Sequence, residues 1–122
     1  MSRSKSSLQP AGACASYPIG YTRCLNYLIQ QTDTFANWHT ALRDLRARIA
    51  IARRIDRAAA GNLGDVKPVG EGVSEMRVDV GPGYRLYFTR RGEMLILLLC
   101  GGDKSSQSRD IALAKRLAGE IE

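Results

Sequence analysis

The chain has 122 residues, 44% of them hydrophobic, and 18 Lys and Arg against 12 Asp and Glu give it a formal net charge of +6. That length builds one domain around one modest core, and so ordinary a composition excludes wholesale disorder. A single histidine, His39, and no carboxylate pair at ligand spacing exclude a protein-held catalytic metal. Cys14, Cys24 and Cys100, odd in number and without CxxC spacing, exclude a disulfide framework or zinc site and fit a reducing cytoplasm.

Residues 1–24 are rich in Ser, Gly, Ala and Pro, and Pro10, Gly12, Ser16, Pro18 and Gly20 interrupt every run that could serve as a signal-peptide core. A flexible N-terminal extension is expected there, followed by a folded domain over 25–122. Leu25 to Gln31 reads as a short edge strand. Asp33 or Thr34 then caps a helix whose apolar stripe is Phe35, Trp38, Ala41, Leu42, Leu45, Ile49 and Ala52. The stripe shifts after Ile49 towards Ile51, Ile55 and Ala58, which predicts a bend or a two-helix hairpin with Asp44 as the second N-cap. Gly61-Asn62 closes the helical region. A short strand within 63–70 contains Pro68 and is therefore restricted to an edge or an end.

Three strands are predicted between Val73 and Lys104, punctuated by Gly81-Pro82-Gly83, Arg91-Gly92 and Gly101-Gly102. In the first, Met76, Val78 and Val80 share one face and Glu75, Arg77 and Asp79 the other. In the second, Tyr84, Leu86 and Phe88 alternate with Arg85, Tyr87 and Thr89. A three-residue Gly-Pro-Gly loop would set Asp79 opposite Arg85 and Arg77 opposite Tyr87. The third, Met94 to Cys100, is apolar throughout, so it is central and covered on both faces. Its seven residues are also the longest apolar run, against about 20 for a membrane span, so no membrane role is expected. Asp103, Ser105 or Ser106 caps a last helix, with Ile111, Ala114, Leu117, Ala118 and Ile121 on one side, which roofs the charged sheet face.

With metal chemistry and a Ser or Cys nucleophile lacking partners, and His39 read as a surface residue, the remaining candidate is cationic. Arg77 and Arg85 face the same way on adjacent strands, and Lys104 stands at the start of the last helix. Together they resemble a phosphate clamp. Attack of an RNA 2′-hydroxyl on the adjacent phosphate needs no metal if cations neutralise the charge growing on the phosphoryl oxygens. The alternative is a set of solvated sheet charges, with Arg85 paired to Asp79. A second basic surface carries Arg43, Arg46, Arg48, Arg53, Arg54 and Arg57, relieved only by Asp44 and Asp56. It suits either solubility or attraction to nucleic acid.

The segments WHTALRDLRARI, RRIDRAAAGNLGDVKPVGEGVSEMRVDVGPGYRLYFTRRG and LLLCGGDKSSQSRDIALAK, spanning about Leu25 to Ala118, resemble the RelE/ParE superfamily of bacterial toxins. The likeness is greatest to its HigB-like addiction module killer group, through GDVKPVGEGVSE, GPGYRxYF and GGDKSxQxRDI. The resemblance implies an α+β, RelE-like fold, with a helical hairpin and a C-terminal helix on a small, mainly antiparallel sheet. It implies ribosome-dependent cleavage of mRNA without a cofactor, and neutralisation by a cognate antitoxin of the helix-turn-helix type. Carried over, the catalytic cations are Arg77, Arg85 and Lys104. Where cleaving relatives often have a further lysine, this chain has Glu75, and the C-terminal helix lacks their Tyr or His. Glu75, Tyr87 and Asp103 are thus the candidates for a base or a stacking group. Arg46, Arg53, Arg54, Lys67, Arg90, Arg91 and Arg109 are the candidate RNA contacts. Two alternatives stay open: a ParE-like inhibitor of DNA gyrase without nuclease activity, and a basic peptide-binding module.

Overall fold

A strand apolar on both faces needs cover on both faces, and that requirement organises the molecule. The computed structural model describes residues 9–10 and 27–121. The expectations for the N-terminal extension, for Cys14 and Cys24 and for the start of the first strand lie outside them. In chain order the elements are β1 (Gln9–Pro10), β2 (Leu28–Gln31), α1 (Asp33–Ala41), α2 (Leu45–Ala59), β3 (Val66–Gly70), β4 (Val73–Val78), β5 (Tyr84–Arg91) and β6 (Leu95–Asp103). A 3₁₀ turn (Lys104–Ser106) then leads into α3 (Gln107–Glu120). The fold is α+β, and its sheet has the order β1-β2-β6-β5-β4-β3. Pairing is antiparallel except between β2 and β6, which run parallel.

Two layers of helix cover the sheet. On one face Phe35 of α1 and Ile51, Ile55 and Ala58 of α2 pack on Met76, Leu86, Phe88, Ile96 and Leu98. On the other, Ala114, Ile111 and Leu117 of α3 pack on Val73, Tyr87, Leu97 and Leu99. Each large apolar side chain so buried contributes on the order of 1.5–3 kcal/mol. The expected central strand and the expected roof are both present. An extra residue in β6 keeps both layers in phase: the register with β5 shifts between Tyr87 and Phe88, and Leu99 and Cys100 both join the α3 layer.

The helical hairpin is capped where polar side chains permit. Thr32, rather than Asp33 or Thr34, caps α1: its Oγ1 accepts from the Phe35 N–H at 3.1 Å and donates to the Leu99 carbonyl at 2.7 Å. Asp44 caps α2 as expected, accepting from the Arg46 N–H at 3.0 Å. The apolar stripe is corrected only in part: the expected shift to Ile51, Ile55 and Ala58 is present, but Leu45 and Ile49 do not belong to the buried face. Leu45 is 58% and Ile49 45% exposed, while Ala47, Ile51, Arg54, Ile55 and Ala58 are buried, because the break at Leu42 turns α2 by a different angle from α1. His39 is not a free surface residue either. Its Nε2–H donates to the Arg48 carbonyl at 3.0 Å, tying the two helices together. Gly61, at φ +99°, ends α2 as expected, with the Gly61 and Asn62 N–H groups bonded to the Ala58 and Arg57 carbonyls.

Gly101 and Gly102 are corrected as well. They do not end the strand but lie inside β6, where a Cβ on Gly101 would overlap the Trp38 ring and one on Gly102 the Asp110 carboxylate. Both helix layers approach the sheet closely here. Among the described residues no helix is long and apolar enough to cross a membrane.

Candidate functional site: a cationic cavity at the end of the sheet

Arg77 and Arg85 stand directly opposite each other across β4 and β5. The expected register is therefore corrected by two residues. β4 stops at Val78, and Asp79 to Gly83 form a longer loop, with Gly81 and Gly83 at φ +56° and +88° and the Gly83 N–H bonded to the Val80 carbonyl at 3.0 Å. An even shift preserves the face of every side chain, so the two arginines still point the same way. Opposed residues in an antiparallel ladder have Cα atoms about 4.5–5.5 Å apart, and like charges there repel.

Each guanidinium is balanced differently. Arg85 Nε–H donates to Glu75 Oε2 at 3.1 Å, in a pair whose side chains are 12% and 0% exposed. The expected Asp79 partner is thus replaced by Glu75. The same Oε2 accepts from Gln107 Nε2 at 2.9 Å and from the Tyr87 hydroxyl at 3.4 Å, while Oε1 is buried without a hydrogen-bond partner. Among the described residues the only carboxylate that Arg77 reaches is Asp65, at 3.8 Å and in solvent. Lys104, at the first position of the 3₁₀ turn, has no carboxylate within 4.0 Å among the described residues.

These three cations line one open cavity of about 720 Å³, walled by Arg53, Arg54 and Arg57 of α2 and by the 79–83 loop. Asp65, Asp79 and Tyr84 also line it. Tyr84 packs at the edge of the core face with Leu86 and Phe88, as the alternation predicts. It sits at the cavity rim because its ring packs edge-on against Trp38, with centroids 6.2 Å apart. Gln107, unmarked in the sequence, matters because it joins α3 to Glu75. Nothing local in the sequence foretells that long-range contact.

The candidates for a base or stacking group fare less well. Tyr87 is fully buried and offers no ring face to a nucleobase; burial, and then the neighbouring Glu75 charge, raise its pKa above the ordinary phenol value. Asp103 caps the 3₁₀ turn, accepting from the Ser105 N–H at 2.9 Å and its hydroxyl at 2.6 Å, and the Ser105 hydroxyl bond holds its carboxyl below the usual range. Glu75 lies under Arg85, outside the cavity lining.

Of the candidate RNA contacts, Arg53 and Arg54 reach the cavity, and Arg57 joins them. Arg46 is exposed on the first turn of α2, Lys67 on edge strand β3, and Arg109 on α3, all away from the lining. Arg90 sits over the Tyr27 ring at 5.3 Å, and Arg91 donates to the Ala118 carbonyl at 3.2 Å. Both lie five or more residues along β5 from Arg85, roughly 16 Å at about 3.3 Å per residue. Among the described residues no three His, Cys, Asp or Glu side chains gather as a metal site. Cys100 is buried, donates to the Asp110 carbonyl at 3.5 Å, and has its thiol pKa pushed up to about 12 by burial and then by Asp110.

No family model matches the chain. It is 48% identical over 93 residues to an uncharacterized protein of Haemophilus influenzae, an alignment covering 76% of this chain and 94% of that protein. The chain belongs to the same family as that protein.

Proposed function

We propose that this protein is the toxin of a type II toxin-antitoxin pair, a RelE-like, HigB-like endoribonuclease that cuts mRNA on the ribosome. What carries the reading is the convergence of Arg77, Arg85 and Lys104 on one cavity, in which Arg77 has only a solvent-exposed contact with Asp65 at 3.8 Å and Lys104 has no carboxylate within 4.0 Å among the described residues. In this mechanism the 2′-oxygen attacks the adjacent phosphorus, and the bond from phosphorus to the 5′-oxygen breaks. The 2′-hydroxyl loses a proton, the 5′-oxygen gains one, and the products end in a 2′,3′-cyclic phosphate and a 5′-hydroxyl. The three cations neutralise the extra charge on the phosphoryl oxygens, and Glu75 orients Arg85 from behind. The exposed arginines of α2 extend the positive field toward ribosomal RNA. An acidic segment of an antitoxin, covering the same cavity in the cytoplasm, would neutralise it.

Primer extension on a translated message tests this. Lys104→Ala and Arg77→Ala should each reduce cutting by about 10²–10³; cut patterns and rates equal to the wild type would discard the assignment. One observation favours a second reading: Glu75, Tyr87 and Asp103 are all committed to structural bonds, leaving none of them as a base. A ParE-like inhibitor of DNA gyrase needs no base, and a supercoiling assay with the purified protein separates the two.

A further inference from the structure

Arg54 is 7% exposed, yet among the described residues no carboxylate lies within 4.0 Å of it. Its Nε–H donates to the Arg77 carbonyl at 3.3 Å, and Nη1 is buried without a partner. The guanidinium lies against Gly64, where an added Cβ would stand 2.6 Å from Nη2 and 2.8 Å from Cζ and Nη1. Burial, and then the charge of Arg57, lower its pKa from the ordinary arginine value. A buried cation is costly unless a counter-charge or a full set of acceptors meets it. Arg57 adds repulsion, which Asp65 across the cavity offsets only in part. A helix C-terminus accounts for Arg57, through the negative end of the dipole. It does not account for Arg54, in the middle of α2 and under the cavity wall.

We propose that Arg54, together with Arg57, forms a second anion subsite in this cavity, which binds the phosphate next to the one held by Arg77, Arg85 and Lys104 in a single-stranded RNA backbone. This rests on the clamp reading and deepens it: the ligand is a polynucleotide with consecutive phosphates, drawn across the end of the sheet from β4 to α2. Arg54 is preorganised by the Arg77 carbonyl and Gly64, and Arg57, exposed at the rim, meets the ligand from outside.

The test is fluorescence anisotropy with labelled oligodeoxynucleotides, which lack the 2′-hydroxyl and so remain intact, titrated between about 50 and 200 mM salt. For a strand of several nucleotides, Lys104→Gln, Arg57→Gln and Arg54→Gln should each flatten the slope of log Kd against log salt by about 0.7, the value for one phosphate of a single strand. The Lys104→Gln, Arg57→Gln pair should flatten it by about twice that. A dinucleotide with one phosphate should respond to Lys104→Gln and ignore Arg57→Gln. Arg57 is exposed, so its replacement leaves the fold intact even if Arg54→Gln does not. A wild-type slope in Arg57→Gln, alongside a reduced one in Lys104→Gln, overturns the second subsite and leaves the clamp standing. Unchanged slopes in Lys104→Gln and Arg77→Gln would instead remove the clamp.

Discussion

Replacing Arg85 with alanine should destabilise the protein far more than removal of a solvated sheet charge. Glu75 is fully buried, and its Oε2 gathers Arg85, Gln107 and Tyr87 while Oε1 has no partner. Without Arg85 the carboxylate keeps two neutral donors and loses its only close cation among the described residues. Breaking a buried pair from one side costs about 3–5 kcal/mol, and the surviving bonds place this case near the lower end, at about 3 kcal/mol. That is a large share of the roughly 5–15 kcal/mol that holds a domain together. With a urea m-value of about 1–3 kcal/mol per molar, the midpoint should fall by about 1–3 M, followed through Trp38 fluorescence. Glu75→Gln in the Arg85→Ala background removes the stranded charge and should restore most of the loss, a coupling of about 2 kcal/mol. An Arg85→Ala midpoint within about 0.3 M of wild type, or no recovery on adding Glu75→Gln, would refute the buried-pair argument. The practical consequence is that an inactive Arg85→Ala variant reports folding as well as chemistry, whereas Lys104 and Arg77 report chemistry.

Gly101→Ala drives a Cβ into the Trp38 ring and should cost about 1–3 kcal/mol in the same unfolding assay, while Gly119→Ala, where nothing is near, should cost nothing measurable. Cys100 has an ordinary thiol pKa of 9.0 and about 12 when folded, so the unfolded chain ionises first as pH rises. Its stabilising contribution is complete below pH 9, declines at about 1.4 kcal/mol per pH unit above it, and is gone by about pH 12. Denaturation curves between pH 8.5 and about 10 should therefore slope downward in the wild type and be flatter in Cys100→Ala. Leu45→Ser should cost less than about 0.5 kcal/mol by thermal unfolding, because its side chain is largely in water; a loss above about 2 kcal/mol would restore the stripe read from the sequence.

Much of the fold was legible because its signals are local. The apolar run of β6, the alternation in β4 and β5, the Asp44 cap and the Gly61 terminator each depend on a few neighbouring residues. The face of α2 was legible in its later turns, where the stripe shifts to the buried Ile51, Ile55 and Ala58, but not at its start, where Leu45, Ile49 and Ala52 match a helical stripe equally well and face outward. The hairpin angle alone decides between them. The convergence of Arg77 and Arg85 followed from strand parity and survived a two-residue error in register. The partner of Arg85 was misread for a different reason: a tight loop would bring Asp79 opposite it, and Glu75 becomes the partner only in the true register, with Gln107 arriving from 32 residues away. Arg54 was hidden likewise among six arginines, and only packing against Gly64 distinguishes it from its neighbours.

The most direct trial of the phosphate-clamp account uses a translated message whose cut position has been mapped and then rebuilt with one 2′-deoxynucleotide on the 5′ side of that bond. The account predicts that the native message is cut to a 2′,3′-cyclic phosphate end and that the substituted message stays whole at that position. Cleavage of the deoxy-substituted bond, or a native product ending in a 3′-hydroxyl, would contradict it.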